Sequence, residues 1–83
     1  MAGESNADHG IDLVRIDPER NMRRFYSMRY EKDLFGQWLL IRRWGRIGRS
    51  CQTRKDLAES LERARQAAQK LAESKMRRGY RQT

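Results

Sequence analysis

Cysteine, proline and histidine each occur once in this chain of 83 residues, as Cys51, Pro18 and His9. A lone cysteine excludes an intramolecular disulfide and a cysteine-built metal cluster, and Cys51 is read as a small, semi-buried side chain. His9 stands alone in a polar segment, so no metal site and no cofactor are expected. No apolar run approaches the roughly 18 to 20 residues of a membrane span. The basic start and apolar middle of a signal peptide are missing too. These absences point to a soluble cytoplasmic protein without a membrane partner. Catalytic constellations are also lacking. There is no nucleophile with a base, no paired carboxylates and no phosphate-binding loop followed by lysine and a hydroxyl residue. Gly45 and Gly48 make no dinucleotide fingerprint, because they follow a hairpin-type strand and no helix starts where one would be needed. An enzyme is not expected.

Apolar residues make up 37% of the chain and charged residues 36%, which allows one small domain that is mostly surface around one compact core. What the chain has in excess is positive charge. Nineteen Lys and Arg against eleven Asp and Glu give a formal charge of +8, which favours a polyanionic partner, nucleic acid first.

Residues 1–10 are polar, with Gly3, Ser5, Asn6 and Gly10 and no Lys or Arg, and read as a disordered leader before a single domain over residues 11–83. Ile11, Leu13, Val14 and Ile16 mark a first strand that stops at Asp17-Pro18, since proline lacks the ladder donor. Glu19 to Arg24 is a polar connection. Between Phe25 and Lys32, Tyr26, Met28 and Tyr30 alternate with Ser27, Arg29 and Glu31, which predicts a strand. Asp33 to Gly36 carries turn chemistry and returns the chain as a hairpin. The run Trp38-Leu39-Leu40-Ile41 within Gln37 to Trp44 reads as a central strand covered on both faces. Trp38, Tyr26 and Tyr30 are assigned to the core. Gly45 and Gly48 permit a reversal, after which Ser50 to Lys55 forms another strand.

The period then changes. Leu57, Leu61, Ala64, Ala68 and Leu71 have the spacing of one helical face. Two helix starts fit, a capping box from Asp56 and Glu59 or an N-cap at Ser60. Gly79 offers the stop. The expected fold is α+β, a small antiparallel sheet of about four strands with one C-terminal amphipathic helix packed on it.

The basic residues are unevenly spread. Arg42, Arg43, Arg46, Arg49, Arg54 and Lys55 occur without an intervening acid, and Lys75, Arg77, Arg78 and Arg81 form a second acid-free group. Arginine holds phosphate oxygens in two-point contact and stacks on bases. Trp44, where exposed, stacks on a sugar or base; the other reading packs it under the helix. Tyr80 either closes the edge of the core or offers its hydroxyl to a phosphate. Sequence-specific reading is not indicated, because Glu62 and Glu73 dilute the basic helix face.

Asn21, Phe25-Tyr26, Gly36, a strand ending in Trp44-Gly45-Arg46-Ile47-Gly48, and a helix closing on Arg78-Gly79-Tyr80 together resemble the WGR domain, named for that tripeptide. The resemblance covers roughly Leu13 to Arg81. WGR domains occur in DNA-dependent poly(ADP-ribose) polymerases, in bacterial proteins related to a molybdate-metabolism regulator and as short free-standing bacterial proteins, and this chain looks like the last kind. The resemblance implies an antiparallel sheet with a helix against it. It also implies binding at DNA breaks, with Trp44 stacking near a terminal sugar, Gly45 admitting a close backbone, and basic groups meeting a 5′ phosphate. Arg46 matches an arginine that contacts partner domains in the polymerases, and here it binds phosphate or a separate protein. ADP-ribosylation is not implied. The expected site is therefore Trp44, Gly45, Arg46, Arg42, Arg43, Arg49, Lys75, Arg77, Arg78 and Tyr80. The expected partner is DNA, as duplex and at ends or nicks. A protein-interaction module docking an acidic partner through the Arg46 corner, and RNA binding, are the alternatives.

Overall fold

The computed structural model describes residues 10–83. The leader expected over residues 1–10, with His9, lies outside the described residues apart from Gly10. Strand β1 (Gly10–Asp17) is followed by a 3-10 turn (Pro18–Arg20), β2 (Met22–Lys32), β3 (Trp38–Arg46), β4 (Cys51–Ala58), helix α1 (Leu61–Arg77) and the two-residue β5 (Arg81–Gln82). The strands form one sheet in the order β4-β3-β2-β1-β5, with every neighbour antiparallel. The fifth strand exceeds the expected four because Arg81 and Gln82 pair with Val14 and Leu13. Met22 to Arg24, expected in a connection, extend β2 because they pair with Arg15 to Asp17, so ladder formation overrides their polar character.

Period-two alternation puts Tyr26, Met28 and Tyr30 on one face of β2, and α1 covers that face. Leu13, Tyr26, Met28 and Leu40 of the sheet form the core with Ala68 and Ala72 of the helix, while Ile11, Tyr30, Trp44, Leu71 and Tyr80 pack at its margin. Leu13 and Met28 are wholly buried, each contributing about 1.5–3 kcal/mol. The helix presents Ala64, Ala68 and Ala72 to the sheet, side chains so short that its axis lies close to the strands.

Ser60 is the N-cap, accepting the Arg63 amide at 3.1 Å, so the later of the two helix starts is the real one. Leu57, expected on the helix face, belongs to β4 and is 67% exposed, because β4 runs on through Asp56 and Ala58 to complete its pairing with β3. At the other end Gly79, at φ +105°, donates to the Met76 carbonyl, and the Tyr80 amide donates to the Lys75 carbonyl. This pair of bonds satisfies the last helical carbonyls and swings Tyr80 back over the sheet.

Among the described residues no element packs on the far face of the sheet, so β3 is covered by them on one side only. Ile41 on that face is nonetheless 8% exposed. Its ladder neighbours are Arg29 and Lys55, whose aliphatic stems shield it. Trp38 is half-buried outside the core cluster, with the Lys32 ammonium 5.4 Å from its ring. The β2–β3 turn is built on Asp33, whose Oδ1 accepts from the amides of Phe35 at 2.9 Å and Gln37 at 2.8 Å. It leaves Leu34 and Phe35 in solvent.

Replacing Ala68 with leucine is expected to lower stability by about 1–3 kcal/mol, since the added carbons must push α1 off the sheet. Thermal unfolding should show a fall of roughly 4–8 °C for each kcal/mol lost.

Candidate nucleic-acid interface

Where β3 turns into β4, register sets the helix-facing side chains in rows. Tyr26 lies opposite Trp44, and Trp44 lies opposite Gln52 on its other side. One row further out, Arg24 lies opposite Arg46. Trp44 is half-buried, and its ring stacks on that of Tyr26 with centroids 5.7 Å apart and planes 17° from parallel. Core and surface were the two readings of Trp44; it takes part in both, since it packs at the core margin and also lines an open concavity.

That concavity, of about 400 Å³, is lined by Arg24, Tyr26, Trp44, Gly45, Arg46, Gln52, Lys75 and Tyr80. Among the described residues its lining holds three cations, three aromatic side chains and no carboxylate. Lys75 is the next residue in the helical spacing that runs through Leu61, Ala64, Ala68 and Leu71, so its stem sits over the sheet. Its ammonium lies 4.6 Å from the Tyr26 ring centroid and 5.8 Å from that of Tyr80. Burial, then the charges of Arg78 and Arg42, push its pKa below the ordinary lysine value.

Arg46 has its guanidinium held at the rim. It donates to the Asn21 carbonyl at 3.0 Å and to the Asn21 Oδ1 at 3.3 Å. Asn21 reaches this position because it adopts φ 52°, a left-handed conformation that asparagine tolerates, at the end of the 3-10 turn. Arg24 and Gln52 were missed by the sequence reading, since only register reveals what lies opposite Arg46 and Trp44.

Gly45 lines the concavity through its backbone. A Cβ there would point to the opposite face, 3.2 Å from both the Ser50 oxygen and the Cys51 Cα. Within the fold the close approach at Gly45 is that of β4, which would have to give by a few tenths of an ångström to admit a side chain. The reversal itself is the turn from Arg46 to Arg49, closed by the Arg49 amide on the Arg46 carbonyl at 3.1 Å.

The remaining expected residues separate. Arg42 faces α1 one row inward, with 15% of its side chain exposed, paired to Asp56 at 3.0 Å and donating to the Tyr26 hydroxyl at 3.2 Å. Burial works to lower its pKa, but Tyr26 and Asp56 outweigh it and leave the pKa raised. Arg54, opposite Arg42 in the ladder, pairs with the same Asp56 at 2.9 Å. Two members of the first acid-free run thus share the one carboxylate that follows it, which offsets one of their two charges. Arg43 does not join the concavity: alternation sends it to the uncovered face, 3.9 Å from the Cys51 Sγ. Arg49 is exposed in the turn, and Arg77 and Arg78 are exposed at the helix end. Among the described residues no group of three or more His, Cys, Asp or Glu is placed to hold a metal ion. No helix among them is long and apolar enough to cross a membrane.

The chain belongs to the WGR domain family, whose profile, described as "WGR domain", matches residues 11–83. It is similar to an uncharacterized protein, y4dW, of Sinorhizobium fredii (strain NBRC 101917 / NGR234), with 43% identity over 69 residues. That match takes in 83% of this chain and 34% of y4dW, so the chain spans about a third of the relative's length. No solved structure matches the chain. WGR domains form a family of nucleic-acid-binding modules.

Two outcomes are expected. Exchanging Arg42 for methionine keeps the buried stem but removes its polar contacts, which should cost about 1–2 kcal/mol in thermal or urea unfolding. The salt dependence of nucleic-acid binding should match the parent protein. For Lys75 the folded-state pKa lies below the unfolded value, so its charge opposes folding at neutral pH. That penalty vanishes as pH rises through the depressed pKa toward 10.5. A bound phosphate favours the ammonium, so NMR titration of the Lys75 Nζ should show an upward shift on adding duplex DNA.

Proposed function

We propose that residues 11–83 act as a single non-catalytic module that binds duplex DNA in the cytoplasm, with preference for ends or nicks bearing a 5′ phosphate. The observation that carries this reading is the concavity in which the Trp44 ring adjoins Arg24, Arg46 and Lys75 with no carboxylate in its lining. Tyr26 backs one face of the indole and holds it at a set angle, so stacking on a sugar or base needs little further ordering. Guanidiniums at the rim supply paired donors to phosphate oxygens, and Lys75 supplies a point charge. The Tyr80 side chain lines the same hollow and brings its hydroxyl as a further donor. A hollow this small takes one nucleotide with its phosphate, which favours a strand terminus over a continuous stretch of backbone. Arg42 and Arg43 fall outside this reading, the first as a support beneath the helix and the second on the other face. Arg49, Arg77 and Arg78 contribute long-range attraction.

Fluorescence anisotropy on a duplex with a 5′ phosphate, its dephosphorylated twin and a closed hairpin tests the reading. Affinity should fall in that order, with a slope of log affinity against log salt of about −4 for four to five neutralised phosphates. Changing Trp44 to leucine should weaken binding by about 1–3 kcal/mol, roughly 5- to 150-fold. Equal affinity for the three duplexes would remove the preference for ends, and a flat salt response would remove nucleic acid as the ligand. Competition with a matching RNA duplex should displace the protein poorly.

A further inference from the structure

The sheet sets arginines opposite one another in two places and treats them differently. Arg42 lies opposite Arg54, and Asp56 bridges both guanidiniums at 3.0 and 2.9 Å. Arg15 lies opposite Arg24, and Arg24 lies opposite Arg46, so three arginines stand in one line across β1, β2 and β3. All three are on the helix-facing side, since they sit two residues along from Leu13, Tyr26 and Trp44. Along this line the only acceptors engaged are the neutral oxygens of Asn21, which bind Arg46. The side chains of Arg15 and Arg24 form no ion pair or hydrogen bond among the described residues. The nearest acid bordering Arg15 is Asp17, which pairs with Arg20 at 3.6 Å. Like charges directly opposite in a sheet are destabilising.

We propose that Arg15, Arg24 and Arg46 form a phosphate track, along which the sugar-phosphate backbone of one DNA strand leaves the Trp44 hollow and crosses β3, β2 and β1 in turn. The proposal rests on the reading of the Trp44 site given above and extends it by one strand, adding Arg15. Strands lie about 4.8 Å apart, so the track from Arg46 to Arg15 is roughly 10 Å long, room for the phosphate in the hollow and the next one along the strand. Its far end has clearance because residue 79 is glycine: a Cβ there would stand 3.0 Å from the Arg15 Nε. The direction matters for function. The line runs beside the end of α1, where Arg78 is exposed, and on the opposite side of the sheet from Arg43.

Anisotropy on the 5′-phosphorylated duplex, with the full chain, tests the track. Arg15→Gln and Arg24→Gln are compared with Arg23→Gln and Lys55→Gln, which remove the same charge from the opposite face of the sheet. Each track variant should bind about 5- to 10-fold more weakly near 0.1 M salt and lose roughly 0.9 from the salt slope, and each control should change less than twofold. Equal effects in all four variants would overturn the track. If Trp44→Leu weakens binding while Arg15→Gln and Arg24→Gln behave as the controls, the hollow stands and the track falls. If the parent protein shows no salt-dependent binding, both fall. A second readout is independent of DNA. In low salt Arg24→Gln should melt at or above the parent temperature because a repulsion is relieved. Inorganic pyrophosphate should raise the parent melting temperature more than chloride at equal ionic strength, and should do so less for the Arg15→Gln/Arg24→Gln double variant. A lower melting temperature for Arg24→Gln, or an undiminished pyrophosphate effect in the double variant, would count against the track.

Discussion

A helix whose fully buried residues are all alanine lies close to its sheet, and the rest of this molecule depends on that closeness. Ala64, Ala68 and Ala72 are buried to 1% exposure or less. Because they are short, the next position on the same face, Lys75, comes down onto Tyr26 without needing to be apolar. Its four-carbon stem continues the seam and its ammonium emerges among aromatic rings. The bonds from Gly79 and Tyr80 then lay a second phenol beside it. A bulkier seam would lift the end of α1, and the hollow at Trp44 would open into a flat surface.

Set against that packing is an electrostatic arrangement that works against folding at one end of the sheet. Packing collects Lys75, Arg24 and Arg46 around a shared hollow and supplies no anion. Elsewhere the fold does supply one, as Asp56 does for Arg42 and Arg54. The contrast sets a helix-facing arginine pair that holds a carboxylate beside a hollow whose described lining holds none. A folded domain gains nothing in stability from such a concentration, which is in keeping with the anionic ligand proposed above.

Much of this was legible in the residues. The alternation of Tyr26, Met28 and Tyr30 set the buried face of β2, and Gly79 marked the helix stop through local chemistry, while Ser60 was one of two starts that the residues left open. The family resemblance drew attention to Trp44 and Arg46. What could not be read was whatever depends on register between distant segments. Arg24 looked like part of a polar connector until its pairing placed it opposite Arg46. Arg42 and Arg43 looked equivalent until alternation sent one beneath the helix and the other to the uncovered face. Leu57 carried a helical spacing by coincidence, because Asp56 and Ala58 on either side of it were needed to complete the β3–β4 ladder. Neighbouring letters report local preference, whereas a sheet is decided by partners some twenty residues away.

The glycine at position 79 ties two of these features together. It ends the helix because it accepts a left-handed backbone, and it also leaves the space in which the Arg15 side chain lies. Asparagine would satisfy the first demand at modest cost, yet its β-carbon would displace the guanidinium stem. The way the chain stops its helix and the way it seats an arginine from its first strand are therefore one choice made at one residue. Drift at that site is constrained twice over, by backbone geometry and by a neighbour more than sixty positions away.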